Sequence, residues 1–305
     1  MKSLIIGTRG SKLALYQTNL VLNKIKKILP NVRILTKVIK TKGDLLLDKD
    51  LTKVLDKGFF TSEIQEALYD EEIDLAVHSL KDLPTIISDK SYIVAILKRD
   101  DHRDVFISNH KTPLNFFDRY KKIGTSSLRR KSQLLAINND LNIFPIRGNV
   151  DTRIKKMING DYDGLVVAAA GVKRLGLEKY ITEYFDTNKI LTAPGQGAIA
   201  VEIRNSDSDL KNVLVELNDN DTNLCVSAER SFLNTLAGGC HVPFAAYSTI
   251  NEKTITIDAL VGSIDGKKII RDTISGPEEK YIELGIEIAE RILKNGGKEI
   301  IDSLR

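Results

Sequence analysis

The sequence predicts an α/β protein made of two α/β halves in succession and a smaller C-terminal α+β domain. Three observations predict this. Strand-like apolar runs alternate with helix-period segments through the first two thirds of the chain, short motifs recur between its two halves, and a hairpin followed by an amphipathic helix closes it. A length of 305 residues suits two or three domains with sizeable cores.

In the first half, strands are expected near Ser3–Gly7, Val32–Ile39, Asp74–His78 and Tyr92–Leu97, with helical patterns between them, the signature of βαβ units. The second half repeats the style, with strands near Val105–Ser108, Lys122–Gly124, Ile143–Arg147 and Gly164–Ala168. Ile6-Gly7-Thr8 before one helix is echoed by Ile123-Gly124-Thr125 before another, and Ile73-Asp74-Leu75-Ala76-Val77 by Tyr162-Asp163-Gly164-Leu165-Val166. Two similar halves follow. Further on, Thr254–Leu260 and Lys268–Ile274 flank the turn pair Asp265-Gly266, and Glu278–Lys294 is an amphipathic helix closed by Gly296 and Gly297. The chain is expected to cross between domains at Ala193–Gly197 and in the polar stretch Asn205–Asn223. The expected domains are 1–98 with 195–216, then 99–194, then 217–305.

Composition narrows the class. With 42% hydrophobic and 28% charged residues the chain is neither disordered nor a membrane protein by composition, and no run approaches the length of a membrane span. Met1 leads almost at once into Leu4-Ile5-Ile6, so no signal or transit peptide is expected and the expected compartment is the cytoplasm. The two cysteines, Cys225 and Cys240, have neither CxxC spacing nor a set of partner histidines, which argues against a disulfide scaffold and a zinc site.

The net charge of +4 is unevenly distributed. Residues 1–194 hold 33 basic against 23 acidic side chains, whereas residues 195–305 hold 12 against 18. A basic front fits an acidic small molecule, a nucleic acid or plain solvated surface, and position must decide. Many of the cations stand at helix starts, where free N–H groups and the helix dipole already favour anions. Thr8-Arg9-Gly10-Ser11 leads into a helix from Lys12 to Leu22 that carries Gln17, and Thr125-Ser126-Ser127 caps Leu128-Arg129-Arg130-Lys131. Arg147-Gly148-Asn149 precedes a helix capped near Asp151 and carrying Arg153, while Lys173 and Arg174 follow the strand that ends at Ala168–Ala170. In an open α/β sheet the loops after strand carboxyl ends converge, so the set implies a ligand with several anionic groups. Arginine suits carboxylates because its planar fork gives paired hydrogen bonds. A nucleic acid is disfavoured, since no binding motif is present, Trp is absent, and the cations do not line one exposed face. The Walker A spacing is missing, and Gly195-Gln196-Gly197 is too short for a dinucleotide site.

Three further segments carry chemistry. Asp74–His78 reads as a buried strand running into a loop with Lys81 and Asp82. A carboxylate there could stabilise positive charge on a ligand N–H, or could be half of a surface pair capping a turn. His78 reads as a packed strand histidine. After a helix over Ala228–Leu236, Gly238 and Gly239 place Cys240 at a loop tip, where it is either a nucleophile or a structural cysteine. The charged stretch Lys42–Gly58, followed by Phe59-Phe60, is a mobile lid or an ordinary exposed helix.

Taken together, the motifs Gly7-Thr8-Arg9-Gly10-Ser11-Lys12-Leu13-Ala14, Lys57-Gly58-Phe59-Phe60, His78-Ser79-Leu80-Lys81-Asp82-Leu83-Pro84, Gly124-Thr125-Ser126-Ser127-Leu128-Arg129-Arg130, Arg147-Gly148-Asn149-Val150-Asp151-Thr152-Arg153, Ala193-Pro194-Gly195-Gln196-Gly197 and Gly238-Gly239-Cys240 resemble those of the hydroxymethylbilane synthase (porphobilinogen deaminase) family, in order and over essentially the whole chain. The resemblance implies two periplasmic-binding-protein-like α/β domains around a basic cleft and a third α+β domain bearing the cysteine. It also implies a cytoplasmic, monomeric transferase of tetrapyrrole and heme biosynthesis, with neither nucleic acid nor membrane as partner. Such an enzyme joins porphobilinogen units head to tail with release of ammonia, on a dipyrromethane cofactor built from substrate and held by thioether to the residue matching Cys240. Each pyrrole carries an acetate and a propionate, a ligand suited to the cations.

By matching position, Asp82 would contact pyrrole nitrogens and stabilise the cation formed when ammonia leaves. Lys81, Ser127, Arg129 and Arg130 would hold cofactor carboxylates, and Arg9, Ser11, Gln17, Arg147, Arg153 and Arg174 would serve the incoming ring and the growing chain. Gln196 falls in the interdomain hinge, and Lys53, Lys57 and Phe60 in a lid. Gly10, Tyr16 and Ala245 depart from residues common in the family, without touching a charged position. The competing expectation from another class is a noncatalytic two-lobed module that binds an acidic small molecule reversibly.

Overall fold

The computed structural model describes residues 3–45, 61–236 and 242–304. In chain order the strands are β1 (Ser3–Thr8), β2 (Arg33–Val38), β3 (Leu75–Ser79), β4 (Ser91–Ile96), β5 (Asp104–Ser108), β6 (Lys122–Gly124), β7 (Asn142–Phe144), β8 (Gly164–Ala168), β9 (Ile181–Phe185), β10 (Ile199–Arg204), β11 (Phe244–Asn251), β12 (Thr254–Gly262) and β13 (Ile269–Pro277). The helices are α1 (Lys12–Ile28), α2 (Lys42–Leu45), α3 (Ser62–Tyr69), α4 (Leu128–Ile137), α5 (Val150–Ile158), α6 (Ala169–Arg174), α7 (Ser208–Leu214), α8 (Asn220–Thr235), α9 (Tyr281–Ile292) and α10 (Lys298–Asp302). They form two compact units, Met1–Asp100 with Ala198–Asn223, and Asp101–Gly197 with Leu224–Arg305.

The first unit holds a five-stranded sheet of order β2-β1-β3-β10-β4, and the second a five-stranded sheet of order β7-β6-β8-β5-β9. In each, the first three strands are parallel and the fourth, β10 or β5, runs antiparallel to both neighbours. That antiparallel strand is in both units the first one laid down after the chain enters from the other unit.

The sequence echoes have a structural counterpart. Asp74 Oδ2 accepts Ile5 N at 2.7 Å and its own N–H donates to Ile5 O at 2.8 Å. Asp163 repeats this on Lys122, at 2.7 Å and 2.9 Å. Gly124 stands where a Cβ would lie 2.8 Å from Leu165 Cδ2 and 3.0 Å from Tyr162 Cδ1, so the side chains of β8 and of the turn before it fit over the end of β6 only because no side chain intervenes.

Both faces of the sheets are covered, as alternation along β5 and β8 shows. Val105, Ile107, Leu165 and Val167 enter one apolar cluster with Ile154 and Met157 of α5, while Phe106 and Val166 enter another with Leu134 of α4 and Phe185. In the first unit Leu4, Ile6, Leu75 and Val77 pack on Val21 and Ile25 of α1, and Ala76 turns to Ile64 and Leu68 of α3.

The second unit also contains the antiparallel sheet β11-β12-β13, covered by α8, α9 and α10 through Phe232, Ile257, Ile288 and Ile300. Its β12–β13 turn seats against α4. Gly266 has φ +72°, and a Cβ there would lie 2.5 Å from both Ala136 N and Ser132 O. Only glycine meets both conditions at once.

Several expectations are corrected. The strand expected over Ile143–Arg147 is β7, Asn142–Phe144, because Pro145 has no N–H for the ladder; Ile146 N instead donates to Ser126 Oγ at 2.9 Å. The helix expected from Lys12 to Leu22 runs on to Ile28. The helix carrying Arg153 has its N-cap position at Asn149, with Asp151 in its first turn rather than capping it. The polar stretch 205–223 is not a bare connector, since it holds α7, whose Leu210 and Leu214 enter the first unit's core. Beyond α9, Leu293–Gly297 forms a wider turn with Gly296 at φ +106°, and the chain resumes as α10. The strand expectations omitted β9, β10 and β11, and among the described residues β4 pairs with β10.

Candidate active site

In the first unit, Ser11 is the N-cap of α1 and its Oγ accepts Ala14 N at 3.2 Å; Arg9 lies half-buried in the same turn. Gln17, two turns along, is buried and exchanges hydrogen bonds with Ser79 Oγ at the end of β3, at 2.8 Å and 3.1 Å. The chain then makes a single 3₁₀ turn, Leu80–Asp82, closed by Leu83 N on Leu80 O at 3.1 Å. Leu80 is fully buried and its N–H donates to Ala198 O, so the turn is pinned by one apolar side chain and presents Lys81 and Asp82 outward, both exposed.

Directly before this turn, His78 is the packed strand histidine expected, with its Nε2 3.0 Å from Glu202 Oε2. Glu202 Oε1 also accepts Ser91 Oγ at 2.6 Å and Gln65 Nε2 at 2.9 Å. Burial pushes this carboxyl up, but the bonds from His78, Ser91 and Gln65 outweigh it and hold the group below the usual glutamate range.

In the second unit, Ser127 caps α4 by accepting Arg130 N at 3.4 Å. The next residues do not point to solvent. Arg129 and Arg130 are each 6% exposed, and both meet Asp104, which is 0% exposed at the start of β5. Arg129 Nη1 lies 2.7 Å from Asp104 Oδ2, while Arg130 reaches Oδ1 through Nη2 at 2.7 Å and Nε at 3.1 Å. Gln196 Nε2 donates to the same Oδ1 at 2.9 Å and to His102 O at 2.7 Å. Burial alone would push the Asp104 carboxyl up; the two guanidinium groups hold it well below the ordinary range. Arg129 is pulled down, by burial first and then by Arg130, despite the carboxylate.

The other cations of this unit sit at strand and helix ends, each half-buried. Arg147 follows β7, Arg153 Nε donates to Gly148 O at 2.7 Å, and Arg174 Nη2 donates to Gly197 O at 2.7 Å. Glu229 on α8 is fully buried and accepts Gly195 N at 2.7 Å and Ser248 N at 2.9 Å, tying the 193–197 segment to α8 and β11. Cys225 is buried on α8. Lys53, Lys57, Phe60 and Cys240 lie outside the described residues.

Near the same segment, Asp101 accepts Arg103 Nε at 3.0 Å, Arg103 Nη2 at 2.9 Å and Lys173 Nζ at 2.7 Å. Burial pushes this carboxyl up, but those bonds dominate and hold it well below the ordinary 3.8. A carboxyl depressed in the folded state adds stability that is complete above its unfolded value and is lost progressively as the pH falls toward the folded one. The Asp101→Asn variant should therefore melt below the wild type at neutral pH and converge with it in acid. Thermal unfolding across that range checks this, and a gap that stays constant with pH would count against it.

Asp104, Glu202 and Glu229 are absent from the residues the sequence singles out. Their common signal was an acidic residue inside or beside an apolar strand or helix run, where a charge must be paired. Among the described residues no group of three or more metal-ligating side chains occurs, and no helix is long and apolar enough to cross a membrane.

Comparison with known proteins gives a consistent assignment. Residues 4–212 match the family model "Porphobilinogen deaminase, dipyromethane cofactor binding domain", and residues 223–294 match "Porphobilinogen deaminase, C-terminal domain". The porphobilinogen deaminase of Oceanobacillus iheyensis is 44% identical over 306 residues, covering 100% of this chain and 98% of that one. That of Carboxydothermus hydrogenoformans is 43% identical over 304 residues with the same coverage. Among solved structures, the methionine-binding protein MetQ aligns at a TM-score of 0.45 and 12% identity, over 70% of this chain and 88% of that one. With both family models matched in order, and similarity to the relatives running the full length of the chain, the protein belongs to the porphobilinogen deaminase family.

Proposed function

We propose that this chain is a hydroxymethylbilane synthase, which condenses porphobilinogen head to tail with release of ammonia on a covalently bound dipyrromethane and then releases the linear tetrapyrrole by hydrolysis. Full-length similarity to porphobilinogen deaminases supports the reaction class. The observation that carries the reading at residue level is the start of α4, where two buried guanidinium groups share one carboxylate. A site with that charge excess fits a ligand bearing several carboxylates, as the dipyrromethane does.

In this reading Cys240 holds the cofactor by thioether, and Lys81, Ser127, Arg129 and Arg130 hold its carboxylates. When bound, the dipyrromethane supplies the carbon to which each new ring is joined. Asp82, presented outward by the pinned 3₁₀ turn, keeps a negative charge beside the ring nitrogen as ammonia leaves the substrate and positive charge develops there. Arg9, Ser11, Arg147, Arg153 and Arg174 receive the carboxylates of the incoming ring and the growing chain. Gln17 belongs to the same group and acts by holding Ser79, two residues before Lys81. Lys53, Lys57 and Phe60 form a lid and Gln196 belongs to the hinge. Three domains, 1–98 with 195–216, 99–194 and 217–305, a monomeric state and a cytoplasmic location complete the reading.

The test is incubation of the purified full chain with porphobilinogen, read by intact mass and by formation of the linear tetrapyrrole. Wild type should gain a two-pyrrole adduct and turn over. Arg130→Leu should impair adduct formation, whereas Arg153→Leu should keep the adduct and stall with longer chains undelivered. Turnover without any adduct, or full turnover in both variants, would overturn the assignment.

A further inference from the structure

Asp104 is buried, charged and unused by the mechanism above. It opens β5, the antiparallel strand of the second sheet, and among the described residues its carboxylate is the acidic group that meets both arginines of the α4 start. Taking a carboxylate out of water is costly unless it is paired with good geometry. Here Oδ1 accepts from Nε and Nη2 of Arg130 and from the Gln196 amide, while Oδ2 lies 2.7 Å from Arg129 Nη1 as an ion pair. Among the described residues the guanidinium groups make further bonds to neutral acceptors, Arg129 Nη1 to Leu191 O at 2.6 Å and Arg130 Nη1 to Val166 O at 3.2 Å. Backbone carbonyls satisfy donors without cancelling charge. Among these three side chains two positive charges therefore face one negative charge.

We propose that Asp104 is a positioning residue for the reaction: its carboxylate locks the guanidinium groups of Arg129 and Arg130 into one arrangement at the start of α4 that retains a single uncompensated positive charge for a cofactor carboxylate. Gln196 extends the array to the 193–197 segment by donating to the same oxygen. Two flexible arginines without this anchor would repel each other and pay rotamer entropy on binding; with it, that ordering is already complete. A simple balance of charge predicts the reverse effect, because removing Asp104 would raise the positive potential and strengthen anion binding. The two accounts are thus separable. The inference rests on Arg129 and Arg130 holding the cofactor.

The experiment uses full-length protein made without cofactor in a host that cannot synthesise porphobilinogen. Porphobilinogen is then added and the growth of the adduct is followed by intact mass, with folding checked by circular dichroism and thermal unfolding. Asp104→Asn should slow loading by about tenfold, and Arg129→Gln by a similar factor. The double variant should be at most about threefold slower than either single one, since Asp104 acts through the guanidinium, whereas independent effects would multiply to about a hundredfold. Asp104→Glu, which keeps the charge, should recover part of the loss. Normal or faster loading by Asp104→Asn, or multiplication in the double variant, overturns the proposal alone. Normal loading by Arg129→Gln instead overturns the reading on which it rests. Should Asp104→Asn fail to fold, Gln196→Met removes one donor to the same oxygen, and a loading rate equal to wild type in that variant overturns the proposal too.

Discussion

Asp82→Asn should lower turnover by about two to three orders of magnitude while leaving the fold and measurable substrate affinity in place. The substitution keeps size and shape and removes only the charge. Its fold is expected to survive because the turn is anchored by Leu80, fully buried, and by backbone bonds of Leu80 and Leu83, whereas Asp82 itself is exposed. The loss should fall on the covalent step, since the carboxylate matters most where positive charge develops. Single-turnover kinetics on cofactor-loaded protein separate this step from defective cofactor assembly. Asp82→Glu retains the charge, displaced by a methylene, and should keep more activity than Asp82→Asn. A near-normal single-turnover rate in Asp82→Asn would reduce Asp82 to a turn residue.

Cys240→Ser should abolish the adduct and with it essentially all activity, because a serine hydroxyl lacks the nucleophilicity of a thiolate and forms no thioether. Cys225→Ser is the control. Its side chain is buried on α8, so it should keep the adduct and lose only stability, by about 1–3 kcal/mol from burying the more polar hydroxyl. Peptide mapping of the loaded wild type should place the two-pyrrole adduct on Cys240. An active enzyme with unmodified Cys240 would sink this assignment.

How far the sequence could be read depended on the range of the interactions. Elements whose signal is local were legible: β6 and β8 coincide with their expected bounds, α1 starts directly after Ser11, Ser127 is the cap within the run that announced one, and Asp265-Gly266 does turn a hairpin. The echo between Asp74 and Asp163 was legible as a repeated local motif, but not the bond each makes, a carboxylate on the N–H of a strand residue 69 or 41 positions earlier in the chain. Partnering was not. Nothing in Ile199–Arg204 states that this strand inserts antiparallel between β3 and β4, a hundred or so residues earlier in the chain, since strand choice is settled by apolar faces that meet only in the folded sheet.

The same division runs through the site. Residue type and spacing alone determined the α/β class, the clustering of cations at helix starts, and the set of motifs that marks the family. Those are properties of neighbouring residues, carried by caps, periodicity and local charge. Only the tertiary structure decided what each cation faces. In the sequence Arg129 and Arg130 read as helix-start arginines facing an anionic ligand, yet both are buried on Asp104, which lies 25 residues before Arg129, and Gln196 joins them from the 193–197 segment of the same unit. Glu202 under His78 and Glu229 under Gly195 are of the same kind. A buried charge is stable only beside its counter-charge, and which residue supplies that counter-charge is fixed by the packing of strands and helices distant in the chain, not by anything written next to it.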